Sequence, residues 1–132
     1  MPVPWRSKVT RSKARRGLRA RRDGRFAEYV CALWLMAKGY RLLGFRLRTP
    51  QGEIDILARK GALIVVVEVK RRATMEAALQ AIGWRQRESL RRAAENLAGR
   101  SSSLRGLPVR LDLIALAPGR WPRHIRGAWG EV

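Results

Sequence analysis

The 132-residue chain has little of several things that define common protein classes. Its single cysteine, Cys31, excludes a disulfide framework and is typical of a protein from a reducing cytoplasm. One cysteine and one histidine, His124, are too few ligands for a structural zinc ion. No stretch reaches the ~18–20 consecutive apolar residues that a membrane-spanning helix needs. We therefore expect a cytoplasmic protein without a membrane partner, of a size that forms one domain around one core.

Acidic residues are also scarce, ten against 29 Lys and Arg, which gives a net charge of +19. Such a surface attracts polyanions through long-range attraction and counterion release, so nucleic acid is the predicted partner. Residues 1–25 hold ten of the cations and one acid. We interpret residues 1–22 as a basic disordered arm and residues 23–132 as a single folded domain. Mitochondrial transit peptides share the composition of this arm, but it lacks a clear amphipathic period.

Two short aliphatic and β-branched segments, 52–58 and 65–70, predict neighbouring strands of a hairpin. Gly61 between them can adopt the positive φ of a tight turn. With Lys60-Gly61 as the two loop residues, Asp55 lies opposite Val66, and Glu53 lies opposite Glu68.

In that register the side chains of Asp55, Glu68 and Lys70 emerge on one face of the hairpin. Charges within apolar strands are costly unless they are paired or bind a metal. An aspartate followed by Glu-x-Lys on the next strand is the layout of a metal-dependent phosphodiesterase, and its carboxylates suit Mg²⁺ or Mn²⁺. The alternative is an ordinary salt bridge of Lys70 with Glu68 or Glu53 on a solvated face.

A helix is predicted over residues 24–38, capped by Asp23 and ended by Gly39. Its apolar stripe is expected to face the core, with Glu28 on the far side, either half-exposed or directed into a site. That stripe consists of Phe26, Tyr29, Val30, Leu33, Trp34 and Ala37.

The rest of the pattern predicts a strand at 40–48, a helical stretch at 75–98 divided near Gly83, and a strand at 108–117. Asp112 is expected to pair with an arginine, and His124 to be structural. Trp121 and Trp129 are expected to pack rather than to stack on bases. The residues of the second helical stretch expected to face inward are Met75, Leu79, Ile82, Leu90, Ala94 and Leu97.

The order of motifs along the chain resembles the YraN-like family of small uncharacterised bacterial proteins. The resemblance covers residues 24–129 and implies a fold like that of restriction endonucleases of the PD-(D/E)xK superfamily and of Holliday-junction resolvases. The expected fold class is therefore α/β, with a central mixed β-sheet flanked by helices. The matching segments are GRFAE at 24–28, KGYRLL at 38–43, GEIDILA at 52–58, VEVKRR at 67–72, LDLI at 111–114 and HI at 124–125.

The resemblance also implies roles for individual residues. Asp55, Glu68 and Lys70 match the metal-binding and catalytic triad of the superfamily, with Asp55 and Glu68 as metal ligands. Glu28 matches the acidic residue that the first helix often contributes. Gln86 stands where many relatives carry a lysine, so it is an auxiliary candidate whose role stays open, and Ile54 replaces the proline of the motif.

The function expected on this basis is that of a Mg²⁺- or Mn²⁺-dependent nuclease or resolvase acting on DNA. Two alternatives stay open: a nucleic-acid-binding protein without catalysis on the same fold, and a basic protein that binds RNA or the ribosome. Junction resolvases work as dimers, which makes a homodimer one expectation here. The arginines expected to contact nucleic acid are Arg15, Arg16, Arg19, Arg21, Arg22, Arg71, Arg72, Arg85, Arg87 and Arg91, with a solvated basic face as the alternative for the last three.

Overall fold

The structure is a computed structural model that describes residues 26–81 and 83–128. The predicted basic arm, with Arg15, Arg16, Arg19, Arg21 and Arg22, lies outside the described residues, as do Ile82 and Trp129. The first helix, α1, spans residues 26–37 of the described chain, and Gly39 follows it with a φ of 90°. The later elements are β1 (Arg41–Thr49), β2 (Gly52–Lys60), β3 (Leu63–Arg71), α2 (Met75–Leu79), α3 (Trp84–Gly99), β4 (Val109–Leu116) and β5 (Arg123–Ile125).

The strands form one five-stranded sheet in the order β1-β2-β3-β4-β5. Strands β1, β2 and β3 are antiparallel neighbours, β3 and β4 are parallel, and β4 and β5 are antiparallel. A parallel pair needs a crossover connection, and α2 and α3 supply it. The predicted α/β fold with a central mixed sheet flanked by helices is confirmed, as is the division of the second helical stretch near Gly83.

Helices cover both faces of the sheet. On one face, Leu90 and Ala94 of α3 pack against Leu57 of β2 and Val66 of β3. Met75 and Ala78 of α2 extend this layer over β4. On the other face, Cys31 and Leu35 of α1 pack against aliphatic residues of β2, β3 and β4. The central strand β3 is consequently buried on both sides, which explains its nearly continuous aliphatic sequence.

The predicted inward face of α1 is wrong. Periodicity identifies the stripes of a helix but not which one is buried, and α1 is apolar on almost every side. The small side chains of the opposite face, Ala27 and Ala32, let the helix approach the sheet closely. Ala27, Cys31, Ala32 and Leu35 are buried, whereas Phe26, Tyr29, Leu33 and Met36 are exposed.

The predicted register of the β2–β3 hairpin is also wrong. Lys60 pairs with Leu63, so the loop residues are Gly61 and Ala62 rather than Lys60 and Gly61. Gly61, with a φ of 60°, takes the first loop position, where a two-residue turn accepts a glycine followed by any residue. Val66 accordingly lies opposite Leu57 rather than Asp55. The shift is two residues, an even number, so the faces assigned to the strand β3 side chains are unchanged.

None of the helices in the described parts of the chain is long and apolar enough to cross a membrane. Cys31 is a free, buried thiol. Burial raises its pKa to about 12, and the nearby carboxylates of Glu28 and Asp55 act in the same direction. This cysteine is therefore part of the core and is protonated at neutral pH.

Candidate metal-binding carboxylate site

Asp55 lies where the regular alternation of strand β2 breaks. Ile54 packs with α3 on one face of the sheet and Ile56 packs with α1 on the other, although residues two apart share a face in a regular strand. In the neighbouring strand β1, Arg46 has a φ of 48°, a left-handed conformation that is rare for a residue with a side chain. The irregularity directs Asp55 toward β3, where its Oδ2 accepts a hydrogen bond from the Val69 amide at 2.9 Å.

Glu68 meets this aspartate from strand β3. Its side chain is buried, and its Oε1 lies 3.1 Å from Lys70 Nζ. The same oxygen accepts a hydrogen bond of 2.8 Å from Gln86 Nε2, which the first turn of α3 carries over the sheet. Asp55 and Glu68 are within hydrogen-bonding reach of each other. The structure thus brings together Asp55, Glu68, Lys70 and Gln86.

The two carboxyl groups are kept unusually basic. The pKa of Glu68 is raised to about 7, chiefly by burial and next by the charge of Asp55, and the lowering effect of Lys70 only partly offsets the two. Burial also raises the pKa of Asp55, against the lowering effect of the Val69 amide. Two carboxylates that lie side by side away from bulk water repel each other, and a bound cation would relieve both that repulsion and their desolvation.

Glu28 of α1 borders the site without joining the pair. Its Oε2 accepts a hydrogen bond of 2.7 Å from Arg46 Nε. Its charge still acts on Asp55, whose pKa it raises. The first helix therefore supplies an acidic residue at the place where the resemblance implies one, but an arginine holds that residue.

The donor set suits a hard cation of the Mg²⁺ type. Within the described parts of the chain, no three His, Cys, Asp or Glu side chains form a cluster that could hold a metal ion. Mg²⁺ is commonly bound through one or two carboxylates, with water and substrate phosphate completing its shell. Asp55 and Glu68 supply that number of carboxylates, side by side, with Glu68 buried and Asp55 half-buried, so the residues present fit the group.

Several of the predicted nucleic-acid-binding arginines lie at the same end of the sheet. Arg71 and Arg72 follow Lys70 at the end of β3, and Arg85 and Arg87 flank Gln86 at the start of α3. Arg91, further along α3, donates to Glu88 at 2.9 Å and to Glu95 at 2.8 Å, so its guanidinium is engaged by two glutamates.

A second polar cluster surrounds Asp112, which is fully buried on β4. Arg110 donates to both of its carboxylate oxygens at 2.8 Å, and His124 Nε2 lies 2.7 Å from Oδ2. Burial would raise the pKa of Asp112, but the hydrogen bonds from His124 and Arg110 outweigh it and lower that pKa. The predicted pairing of Asp112 with an arginine is confirmed, and His124 contributes to the same structural network.

Sequence reasoning missed two features of this region. The role of Arg46 depends on a left-handed backbone and a contact with a residue 18 positions earlier, and neither leaves a local sequence signal. Strand β5 was not predicted, because its three residues are too few to show alternation. Its pairing with β4 is what brings His124 to Asp112.

Comparison with known proteins identifies relatives over most of the chain. Residues 27–116 match the sequence profile of the uncharacterised protein family UPF0102. A UPF0102 protein of Caulobacter vibrioides (strain NA1000 / CB15N) is 64% identical over 115 residues, which cover 87% of this chain and 92% of that protein. One from Caulobacter sp. (strain K31) is 56% identical over 126 residues, 96% of this chain and 91% of the relative. One from Sinorhizobium fredii (strain NBRC 101917 / NGR234) is 45% identical over 114 residues, 86% and 93% of the two chains.

The family resemblance inferred from the sequence motifs is thereby confirmed at the level of a group of uncharacterised bacterial proteins, and the chain belongs to the uncharacterised protein family UPF0102.

Proposed function

We propose that this protein is a metal-dependent nuclease or resolvase that hydrolyses phosphodiester bonds in DNA, and that it belongs to the PD-(D/E)xK superfamily. One observation carries the proposal: the buried carboxyl group of Glu68 and the half-buried carboxyl group of Asp55 lie within hydrogen-bonding reach of each other, and Lys70 lies beside them. Buried carboxylates with raised pKa values are costly to stability, and such groups concentrate at functional sites.

Asp55 and Glu68 are the residues that would hold Mg²⁺ or Mn²⁺. When bound, the ion would supply Lewis acidity toward a phosphoryl oxygen and toward a coordinated water. Glu68 is oriented for this role by Gln86, whose amide fixes one carboxylate oxygen at 2.8 Å. Asp55 is oriented by the Val69 amide at 2.9 Å. Both ligands therefore have one oxygen tied to the protein, which fixes the direction of the other.

Lys70 is the residue proposed to act on the substrate. Its ammonium lies 3.1 Å from Glu68 Oε1 and is largely buried, so it is held beside the carboxylates. A fixed cation in this position stabilises negative charge that develops on a phosphoryl group, and it orients an attacking water by donating to it. Glu28, held by Arg46, is proposed to assist at the outer shell of the site.

The proposed partner is nucleic acid, with DNA favoured over RNA. The chain carries a net charge of +19, and Arg71, Arg72, Arg85 and Arg87 lie at the end of the sheet where the carboxylates are. Guanidinium groups bind phosphate through two parallel hydrogen bonds, which positions a strand over a neighbouring site.

A non-catalytic nucleic-acid-binding protein is the second candidate, and one observation favours it. Glu68 Oε1 already accepts hydrogen bonds from two donors, Lys70 and Gln86. A carboxylate satisfied in this way is also what a structural buried ion pair requires. The two functions differ in whether Glu68 is needed for turnover.

Cleavage of labelled linear, branched and single-stranded DNA in Mg²⁺ or Mn²⁺ tests the proposal. Glu68→Gln should reduce the rate by about 100-fold or more, because it removes a ligand charge while keeping the shape of the side chain. It should leave DNA binding in EDTA unchanged or tighter. Glu76→Gln removes the same charge from an exposed position on α2 and should cleave like wild type. Binding without product from all three proteins would favour the second candidate.

We also propose that the protein forms a homodimer through the outer face of α1. Phe26, Tyr29, Leu33 and Met36 lie along this face and are 70%, 59%, 67% and 55% exposed. At ~150–250 Å² per large side chain, they leave roughly 500 Å² of apolar surface per protomer. A two-fold contact would bury roughly 1,000 Å², the lower end for a specific interface. Residues 26–37 carry no Lys or Arg, so two strongly basic chains can approach here with little local repulsion.

A further inference from the structure

The side chain of Trp121 stands out on the surface at the turn between β4 and β5. It is 81% exposed, the most exposed of the large apolar side chains in the described residues. Its ring is tilted by 31° against Trp34 of α1, with the ring centroids 6.3 Å apart. The expectation that Trp121 packs is therefore met on one side only, and most of the indole faces solvent. A large aromatic ring held in place but left uncovered is a ready stacking surface.

Cations converge on the aromatic side chains around this ring. Lys38 Nζ lies 5.4 Å from the centroid of the Trp34 ring and 3.1 Å from His124 Nδ1. Lys60 Nζ lies 4.7 Å from the centroid of the Tyr40 ring. Burial lowers the pKa of Lys38, and repulsion from Arg126 and Lys60 lowers it further. The positive charges of Lys38, Lys60 and Arg126 are thus close enough to repel one another.

The protein itself offers these cations little compensation. Asp112 is the acidic group that opposes their repulsion at Lys38. Its carboxylate is fully buried and already binds Arg110 through both oxygens and His124 through one. An anion from outside the protein would relieve the remaining repulsion, because it could approach the cations from the solvent side.

We propose that Trp121, Lys38, Lys60 and Arg126 form a binding site for single-stranded nucleic acid, with a base stacked on the indole and the adjoining phosphates on the cations. Base stacking on aromatic side chains next to basic groups is how many proteins hold unpaired strands. A duplex does not offer the same contact, because its base faces are already stacked on each other. The site is separate from the carboxylates: Lys60 lies five residues from Asp55 along strand β2, about 17 Å.

A tryptophan among cations also suits the headgroup region of an anionic membrane. Nucleic acid is favoured because this cluster places aromatic rings and cations next to each other, with Lys38 against Trp34 and Lys60 against Tyr40. A nucleic-acid strand likewise alternates flat bases with anionic phosphates. The inference rests on the nucleic-acid binding in the proposed function and does not depend on hydrolysis.

Fluorescence anisotropy in EDTA, with labelled oligo(dT) and a labelled duplex, tests the site in the full-length protein. Trp121→Ala should weaken binding of oligo(dT) about 5- to 100-fold and change duplex affinity less than about twofold, since one stacking contact is lost. Trp121→Phe should recover most of the loss, because it keeps an aromatic face. Leu43→Ala removes another exposed apolar side chain, on strand β1 and outside the proposed dimer face, and should bind like wild type.

Four outcomes would overturn the inference. Equal oligo(dT) affinity of Trp121→Ala and wild type would show that the indole does not stack on bases, while the proposed nuclease function would stand. An equal loss for oligo(dT) and duplex would point to a general phosphate contact instead. If Trp121→Ala lost binding to phosphatidylserine vesicles but kept its affinity for oligo(dT), the cluster would be assigned to a membrane surface. Absence of nucleic-acid binding by wild type would remove the proposed function as well.

Discussion

At the scale of single residues, Arg46 shows how an unfavourable conformation helps to build the site. A left-handed backbone costs a residue with a side chain roughly 1–2 kcal/mol. Its φ of 48° accompanies the break in alternation that turns Asp55 toward Val69 and Glu68. The guanidinium of Arg46 then binds Glu28 at 2.7 Å, which ties α1 to the irregular part of the sheet. The conformation is retained where it positions a carboxylate.

A pair of substitutions at Arg46 measures the free-energy cost of the left-handed backbone at this position. Arg46→Ala and Arg46→Gly both remove the ion pair with Glu28, so their difference reports on the conformation alone. We expect Arg46→Gly to be more stable than Arg46→Ala by about 1 kcal/mol, because glycine adopts positive φ without strain. Urea unfolding of the two variants measures the difference. Equal stabilities, or a more stable alanine variant, would show that the left-handed conformation is not maintained in solution.

At the residue scale, the structure brings together side chains that the sequence had singled out, while their role stays a prediction. Asp55, Glu68, Lys70 and Gln86 were selected as site residues, and the structure brings all four together. For Asp55, Glu68 and Lys70 the reason is physical: a charge within an aliphatic strand is costly, so it stands out against its neighbours. Gln86 was singled out by the family resemblance instead. Arg46 could not be selected in this way, because an arginine in a strand at the edge of a sheet is unremarkable.

At the scale of elements, sequence patterns identified helices and strands better than they identified contacts. The strand pattern located β2 and β3, but the register depended on which loop position Gly61 occupies, and both positions tolerate glycine. The face assigned to Glu68 and Lys70 survived this error because the shift is two residues rather than one, whereas the position of Asp55 depends on the irregularity in β2.

Helix α1 illustrates a different limit. Its two apolar stripes have the same period, and the choice between them depends on how closely the helix can pack on the sheet. Buried Ala27, Cys31 and Ala32 permit a close approach, so the larger side chains of the other stripe remain outside. The exposed stripe is therefore a consequence of packing that periodicity alone does not reveal.

At the scale of the whole molecule, the exposed stripe of α1 predicts association of two copies. Leu33→Asp places an acid at the centre of the proposed interface and should raise the dimer dissociation constant at least about 100-fold, because the new charge would be buried without a partner. Ser102→Asp introduces the same charge in the exposed loop after α3 and should leave association unchanged. Sedimentation equilibrium measures both constants.

Circular dichroism of the Leu33→Asp variant should match wild type, since the substituted side chain is 67% exposed in the folded monomer. A wild-type protein that stays monomeric at high concentration, or a Leu33→Asp variant that dimerises normally, would contradict the proposed interface.

The net charge of the protein determines the electrostatic surroundings of the two carboxylates. A chain with a net charge of +19 draws phosphates to its surface without selecting among them. Under the proposed function, selection of a reactive phosphate requires a local feature, and the adjacent carboxylates of Asp55 and Glu68 would provide one in a surface that is otherwise basic. Composition alone predicts the general attraction of phosphates, whereas the arrangement of the two carboxylates depends on how the strands pair.

Titration of Mn²⁺ followed by electron paramagnetic resonance, on wild type and Glu68→Gln across pH, tests the central claim most directly. A metal must displace the proton that the raised pKa of Glu68, about 7, retains. Affinity should therefore rise about tenfold per pH unit below 7 and level off above it. At pH 8 the Glu68→Gln variant should bind at least about tenfold more weakly. Equal Mn²⁺ affinity of the two proteins at pH 8, or no binding by wild type there, would contradict the assignment of Asp55 and Glu68 as a metal site.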